Sequence, residues 1–399
     1  MKYYDYLIIG GGLTADAAVH AIRRTDPIGS ISIMSEEHDP PYDRPPLSKK
    51  LWKGDALDTI WRNTNKVNVN IQLGCTVTAI NRAEKFVMDA SGEITMFGKL
   101  LIATGGHPVK LPGDATGIIY YRTVDDFRRL YELAQHKNRF LVIGGGFIGS
   151  EIAAALAMNK KKVTMVFPDA GIGSRVYSER VMNFLNTYFG EHNVTVLSKD
   201  SVQTIVNVGD EYEATTKSGT KLIVDAVVAG IGIKPNVELA ETAGLKVDNG
   251  IHVDQFCRTS DPDIYSAGDV ANYYSSVLDT RRRVEHEDNA KIMGDAAGSN
   301  MAGVPVPYDY LPYFYSDLFD IGYEAVGELD SRMEIVEDWK TEFQEGIIYY
   351  LKNNRVRGIL LWNVWEQVEA ARALIAQPGP FDASNIKGRL PAPTTKKVN

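Results

Sequence analysis

Cysteine is scarce, with only Cys75 and Cys257 in 399 residues. That excludes a disulfide-stapled scaffold and fits a reducing compartment, with both thiols expected to be structural. Long apolar runs are missing too, and nothing approaches the ~18 residues of a membrane-spanning helix. Positive charge is not in excess. The formal net charge is −8, whereas nucleic-acid backbones call for a basic footprint, so no nucleic-acid partner is expected. The run Arg281-Arg282-Arg283 is short and is followed by Glu285, Glu287 and Asp288, which points to an internal salt-bridge set. Metal-ligand spacings and a Ser–His–Asp pattern are also lacking, and no metal is expected. Met1 leads through Tyr3, Tyr4 and Tyr6 into the first apolar run, leaving no room for a targeting peptide. A cytoplasmic setting is therefore expected.

Glycine is plentiful, and two of its clusters carry the clearest signal. Leu7-Ile8-Ile9-Gly10-Gly11-Gly12-Leu13-Thr14-Ala15 and Leu141-Val142-Ile143-Gly144-Gly145-Gly146-Phe147-Ile148-Gly149 each follow a short apolar run. Each opens a stretch of helical spacing, Ala17, Ala18, Ala21 and Ile22 in one, Ile152, Ala153, Leu156 and Ala157 in the other. Strand, glycine turn and helix together form the context that a dinucleotide fingerprint needs. Glycines let the backbone approach a pyrophosphate, and the helix N-terminus offers free amides and a positive dipole end. Two such units imply two dinucleotides.

Second strands follow both units. Ser30 to Ser35 ends at Glu36, and Val163 to Phe167 runs into Pro168-Asp169. A carboxylate at that point can accept both hydroxyls of an adenosine ribose, and it repels a 2′-phosphate. Glu36 could equally be a solvated strand-end acid, with Glu37 as its rival. Arg175, close behind Asp169, moderates any preference against a phosphate. Further buried strands lead to glycine turns at Ala103-Thr104-Gly105 and at Gly230-Ile231-Gly232, and Thr123 heads a helix. From about residue 307 two apolar runs flank Asn353-Asn354, a hairpin turn pair. The reading is α/β, with two doubly wound Rossmann-like dinucleotide-binding domains and a C-terminal α+β domain. Residues 1–113 begin the first domain, 114–241 form the second, 242–306 return to the first, and 307–399 form the α+β part. The last dozen residues are expected to fray.

This order of segments resembles the two-dinucleotide flavoprotein reductases of the pyridine nucleotide-disulfide oxidoreductase superfamily. Pro41-Tyr42-Asp43-Arg44-Pro45-Pro46-Leu47-Ser48-Lys49 is similar to the flavin loop of the ferredoxin and rubredoxin reductases and of the apoptosis-inducing factor family. Gly145 to Glu151, Arg281 to His286, Gly322-Tyr323-Glu324-Ala325 and Leu360-Leu361-Trp362-Asn363 draw the resemblance toward apoptosis-inducing factor, as a compact homologue.

The resemblance implies FAD in the first domain and NAD(H) in the second. On the FAD side it implies Gly10, Gly12, Thr14 and Ala15 at the pyrophosphate, Glu36 at the ribose and Val77 at adenine. Ala103, Thr104, Gly105, Gly268 and Asp269 line the flavin half, with Arg44 and Lys49 as cations and Tyr315 stacking nearby. On the NAD side it implies Gly144, Gly146, Phe147, Ile148, Gly149, Glu151, Asp169, Arg175, Gly230 and Gly232. Glu285 and His286 are expected near the nicotinamide. Lys49, paired with Glu151, and His286 are the expected catalytic set, and Phe147 is the expected shield of the flavin face. An exposed lysine, a packing phenylalanine, a core-edge histidine and a capping Asp269 are the plainer alternatives. Two features depart from the family: Tyr315 stands where Trp is usual, and Gly106-His107-Pro108-Val109 lacks an arginine that Lys110 could replace.

Relatives that reduce disulfides or peroxide keep one or two cysteines after the first nucleotide unit. Residues 37–60 hold none, so thiol relay chemistry is not expected. Three functions remain open. One is an NADH-dependent enzyme passing electrons from FAD to ferredoxin or rubredoxin. Another is an NADH-gated flavoprotein that forms a long-lived charge-transfer complex and dimerises. The third reduces a small radical or quinone, as monodehydroascorbate reductases do.

Overall fold

The computed structural model describes residues 2–113 and 116–390. Their contacts separate into two units. Of the described residues, the first comprises 2–43, 57–107 and 234–312, and the second 44–56, 108–113, 116–233 and 313–390.

In the first unit, strand Lys2–Ile9 pairs in parallel with Ile31–Met34 on one side and Ile94–Ile102 on the other. Asn70–Gln72 and Ile264–Ser266 extend the parallel order outward, and Phe86–Asp89 with Val77–Asn81 adds an antiparallel hairpin. Successive strand side chains point to opposite faces, so a sheet covered on both faces needs apolar residues at consecutive positions. Leu7 and Ile9 accordingly enter one core with Leu100 and Ile102, while Ile8 enters the other with Ile33 and Leu101. Helices Leu13–Thr25 and Glu287–Met301 cover the second core. They cross so closely that a side chain at Gly294 or Gly298 would strike the backbone of Thr14 or Ala18.

The second unit repeats the pattern. Val194–Ser198, Lys162–Phe167, Arg139–Ile143, Ala226–Ala229 and Ile119–Tyr120 form a parallel sheet in that spatial order. Helix Phe147–Met158 follows the third of these strands in space, and Val202–Val208, Glu211–Thr216 and Lys221–Val224 form a separate antiparallel meander. Tyr313–Leu318, Ile321–Gly327, Arg355–Trp362, Glu345–Lys352 and Glu334–Thr341 make the C-terminal antiparallel sheet, packed by helix Val368–Ile375.

Local signals fall where the residues suggest. Thr123 caps helix Val124–His136 with a reciprocal box to Asp126. Such a cap is worth about 1 kcal/mol, against about 1.5–3 kcal/mol for burying each of Phe127 and Leu130. The cap therefore sets where the helix starts, and its apolar face decides where it lies. Asn353 and Asn354 both adopt left-handed backbone, φ 54° and 58°, as a two-residue hairpin requires. The Arg281–Arg283 run forms a salt-bridge set only in part. Arg283 pairs with Glu285, but Arg281 donates to the carbonyls of Val253 and Asn272, and Glu287 turns to Lys291. The expected frayed end lies, beyond Leu390, outside the described residues, and Leu390 itself is buried.

Candidate functional site

In the first unit the glycine turn is shaped by close approach. Gly10 has φ 107°, and a side chain there would collide with the carbonyl of Ala103. Helix Leu13–Thr25 then begins at Gly12 without a side-chain cap, and a methyl added at Gly12 would meet nothing within 4 Å. Uncapped amides thus face open room, which fits a pyrophosphate. Thr14 and Ala15 are buried in the first turn, and Thr14 packs against Gly268, whose φ is 75°. Glu36 is exposed just beyond strand Ile31–Met34, whereas Glu37 accepts a hydrogen bond from Tyr42 at 2.6 Å. Glu36 is the carboxylate left available. Val77 is buried at the head of its strand, where the register slips.

The turn at Ala103, Thr104 and Gly105 is clamped by Asn236, which sequence reasoning missed. Thr104 donates to the Asn236 carbonyl and Asn236 Nδ2 donates to the Thr104 carbonyl, both at 2.8 Å. The Asn236 amide donates to the Gly105 carbonyl at 3.0 Å, and its Oδ1 lies 2.6 Å from His107 Nδ1. His107 and Lys110 are both exposed. Asp269 lies within a short 3-10 turn, Gly268–Val270, whose N-cap is Ala267. It is not the cap that the plainer reading offered. The Asp269 carbonyl accepts from Arg283 at 3.1 Å. Glu285 is already engaged by Arg283, and His286 occupies the N-cap of helix Glu287–Met301 without capping it through its side chain. Burial pushes the His286 ring down to about 4; Asp269 opposes that shift and Arg282 adds to it. The imidazole is neutral at physiological pH.

The second unit holds the other turn. Gly144 has φ 114°, and a side chain there would strike the Gly230 carbonyl; one at Gly149 would strike that of Gly144. Ile148 packs beside Gly230, and helix Phe147–Met158 starts at Gly146, again uncapped with nothing within 4 Å of an added methyl. The second site fits a pyrophosphate for the same reason. Asp169 is half-buried past strand Lys162–Phe167, Arg175 is exposed, and Gly232 has φ 116°. Phe147 packs edge-on against Phe314, ring centres 5.0 Å apart.

Residues 44–56 belong to this unit, and the structure shows what holds them. Arg44 donates to the Arg122 carbonyl at 3.0 Å, while Tyr121 and Trp52 both donate to the Leu47 carbonyl, at 2.5 and 2.8 Å. That anchors Ser48 and Lys49. Lys49 Nζ lies 2.7 Å from Glu151 Oε2, with side-chain exposures of 7% and 4%. Ser48 donates to the same oxygen at 2.5 Å, Ser316 donates to Oε1 at 2.6 Å, and the Tyr315 ring centre is 5.3 Å from Nζ. Two hydroxyls and an ammonium therefore surround one buried carboxylate. Sequence reasoning found the ion pair and missed both serines, although Ser48 adjoins Lys49 and Ser316 adjoins Tyr315.

Cys75 is half-buried and Cys257 is buried, and neither lies in the 37–60 interval. Among the described residues no helix is long and apolar enough to cross a membrane. A family model described as pyridine nucleotide-disulphide oxidoreductase matches residues 4–294. One described as apoptosis-inducing factor, mitochondrion-associated, C-term matches residues 334–377. The chain is 33% identical to apoptosis-inducing factor 1, mitochondrial, of Dictyostelium discoideum, over 94% of this chain and 79% of that protein. It is 30% identical to monodehydroascorbate reductase of Pisum sativum, over 94% and 95%. Among solved structures, the covalent putidaredoxin reductase–putidaredoxin complex contains a chain that aligns with a TM-score of 0.87 at 30% identity, covering 94% of this chain and 93% of that one. With both glycine turns in place and these matches spanning its length, the chain belongs to the pyridine nucleotide-disulphide oxidoreductase family, as a flavoprotein oxidoreductase that uses FAD and NAD(P)H.

Proposed function

We propose that the protein takes hydride from NADH onto FAD and passes the electrons directly to a ferredoxin- or rubredoxin-type carrier. The buried Lys49–Glu151 pair, in a chain with no cysteine at residues 37–60, is the observation that carries this reading. When bound, FAD accepts a hydride and releases electrons singly, the exchange that a one-electron carrier requires. The likeness to a putidaredoxin reductase along almost the whole chain supports a carrier of that class.

In this reading Gly10, Gly12 and Ala15 hold the FAD pyrophosphate, Glu36 its ribose, and the clamped turn at Thr104 the flavin half. Gly144, Gly146 and Gly149 hold the second pyrophosphate, and Asp169 favours NADH by repelling a 2′-phosphate. Arg175 leaves NADPH as a poorer substrate rather than an excluded one. Lys49 presents positive charge to the flavin, whose reduced form is anionic, and neighbouring cations favour reduction. Neutral His286 contributes shape rather than charge.

The test is an anaerobic NADH titration followed by rapid mixing with oxidised ferredoxin or rubredoxin. Fast bleaching and fast reoxidation by a carrier support the proposal, whereas reoxidation only by a quinone or an ascorbate radical transfers it to small-acceptor chemistry. A second reading follows from the match of residues 334–377 to the apoptosis-inducing factor C-terminal model. There NADH reduces FAD slowly, the reduced protein retains NAD⁺, and a monomer–dimer equilibrium shifts because one state binds NADH more tightly. Sedimentation with and without NADH decides it, and equal values reject it.

A further inference from the structure

Glu151 is held from two directions. Ser48 and Lys49, adjacent in sequence, both reach Oε2, and Ser316 reaches Oε1 from strand Tyr313–Leu318 of the C-terminal sheet. Ser316 is anchored in turn. Its register partner on the neighbouring strand is Tyr323, a fully buried side chain stacked on Trp362 at 6.0 Å and 10°. The Tyr323 hydroxyl accepts from Tyr177 at 2.7 Å. Burial holds both phenols well above their usual range, so they stay protonated and uncharged beside the carboxylate. Among the described residues, Lys49 supplies the only formal charge of the groups bonded to Glu151.

A carboxylate gripped at one oxygen can turn about its own axis, and its ammonium partner turns with it. Grip at both oxygens removes that freedom. We propose that Ser316 is the positioning residue of the Lys49–Glu151 pair, through which the C-terminal sheet sets where the Lys49 charge stands and hence the FAD midpoint potential. The inference rests on the reading that Lys49 acts on the flavin. Without the Ser316 hydroxyl, Oε1 loses its hydrogen bond and turns toward Lys49. The ammonium is then drawn more fully onto the carboxylate, and reduced FAD loses stabilisation.

The experiment is dye-equilibration potentiometry of the holoprotein as wild type, Ser316→Ala, Ser316→Thr and Lys49→Ala. Ser316→Ala is expected to shift the reduction equilibrium about tenfold toward oxidised FAD through the displaced Lys49 charge, since the lost hydrogen bond itself is missing from both redox states. Ser316→Thr keeps the hydroxyl and is expected to stay within about twofold of wild type. Lys49→Ala is expected to shift at least as far as Ser316→Ala. If Lys49→Ala shifts and Ser316→Ala does not, Ser316 is packing and the inference is overturned while the reading of Lys49 stands. If Lys49→Ala leaves the potential unchanged, that reading fails and the inference falls with it. A Thr variant that shifts as far as Ala also overturns it, because the effect then follows shape. Should Ser316→Ala fail to retain FAD, Ser316→Cys replaces it, with a weaker donor and an intermediate shift expected.

Discussion

Lys49 Nζ and Glu151 Oε2 stand 2.7 Å apart in the interior of the second unit, brought together from the 44–56 segment and helix Phe147–Met158. Removing one partner from a buried pair strands the other charge, which costs about 3–5 kcal/mol. Lys49→Met is therefore expected to lower unfolding stability by that amount, and Glu151→Leu by a similar one. The double variant should recover most of the loss, because no charge is then left buried. Urea unfolding of the four proteins measures the coupling directly. NADH reduction of FAD should be slowed in all three variants, including the one that regains stability.

The two glycines of the first turn should respond differently to one methyl group. Gly10→Ala meets the Ala103 carbonyl at a backbone angle that side chains rarely adopt, and loss of folded protein is expected. Gly12→Ala meets open space, so the protein should fold and melt normally while retaining less FAD. The melting temperature and the FAD-to-protein ratio separate the outcomes. Gly144→Ala and Gly146→Ala should repeat the contrast, with NADH affinity as the readout.

Burial keeps His286 neutral down to about pH 4, with Asp269 opposing that shift and Arg282 adding to it, whereas the unfolded chain takes up the proton near pH 6.5. Its contribution to stability is whole above about pH 6.5 and is lost as pH falls to about 4, a total of about 3 kcal/mol. Urea midpoints at pH 7.5, 5.5 and 4.5 should fall more steeply in wild type than in His286→Asn. Parallel slopes would show that the ring titrates in the folded protein as it does in the unfolded chain.

Neither thiol is poised to react. Burial, then Asp89, pushes the Cys75 thiol up, and burial raises Cys257 further. A chromogenic disulfide reagent at pH 7.5 should label native protein slowly, and two equivalents should appear only on unfolding. Cys75→Ser/Cys257→Ser should oxidise NADH at the wild-type rate. A large loss of activity in that variant would restore a thiol relay.

Much of this protein could be read locally. A strand, a glycine turn and a helix are written in consecutive residues, so Gly10 and Gly144 announced both dinucleotide turns before any tertiary contact was known. Thr123 and Asp126 marked a helix start, and Asn353-Asn354 a hairpin, because caps and tight turns are short-range chemistry. Lys49, Glu36 and Asp169 were singled out through their position relative to such motifs, and the structure pairs Lys49 with Glu151. Ser48, Ser316 and Asn236 were not, since a serine or asparagine carries no periodicity and acquires meaning only from what it touches.

The sequence by itself determined the two nucleotide folds, the absence of cysteine from residues 37–60 and the C-terminal hairpin turn at Asn353-Asn354. Each depends on residues close together along the chain. Tertiary structure alone decided that residues 44–56 pack with the second unit, that Asn236 clamps the turn at Thr104, and that Ser316 completes the grip on Glu151. Those contacts join segments far apart in sequence. Their energy appears only once folding has excluded water and left each buried polar atom in need of a partner.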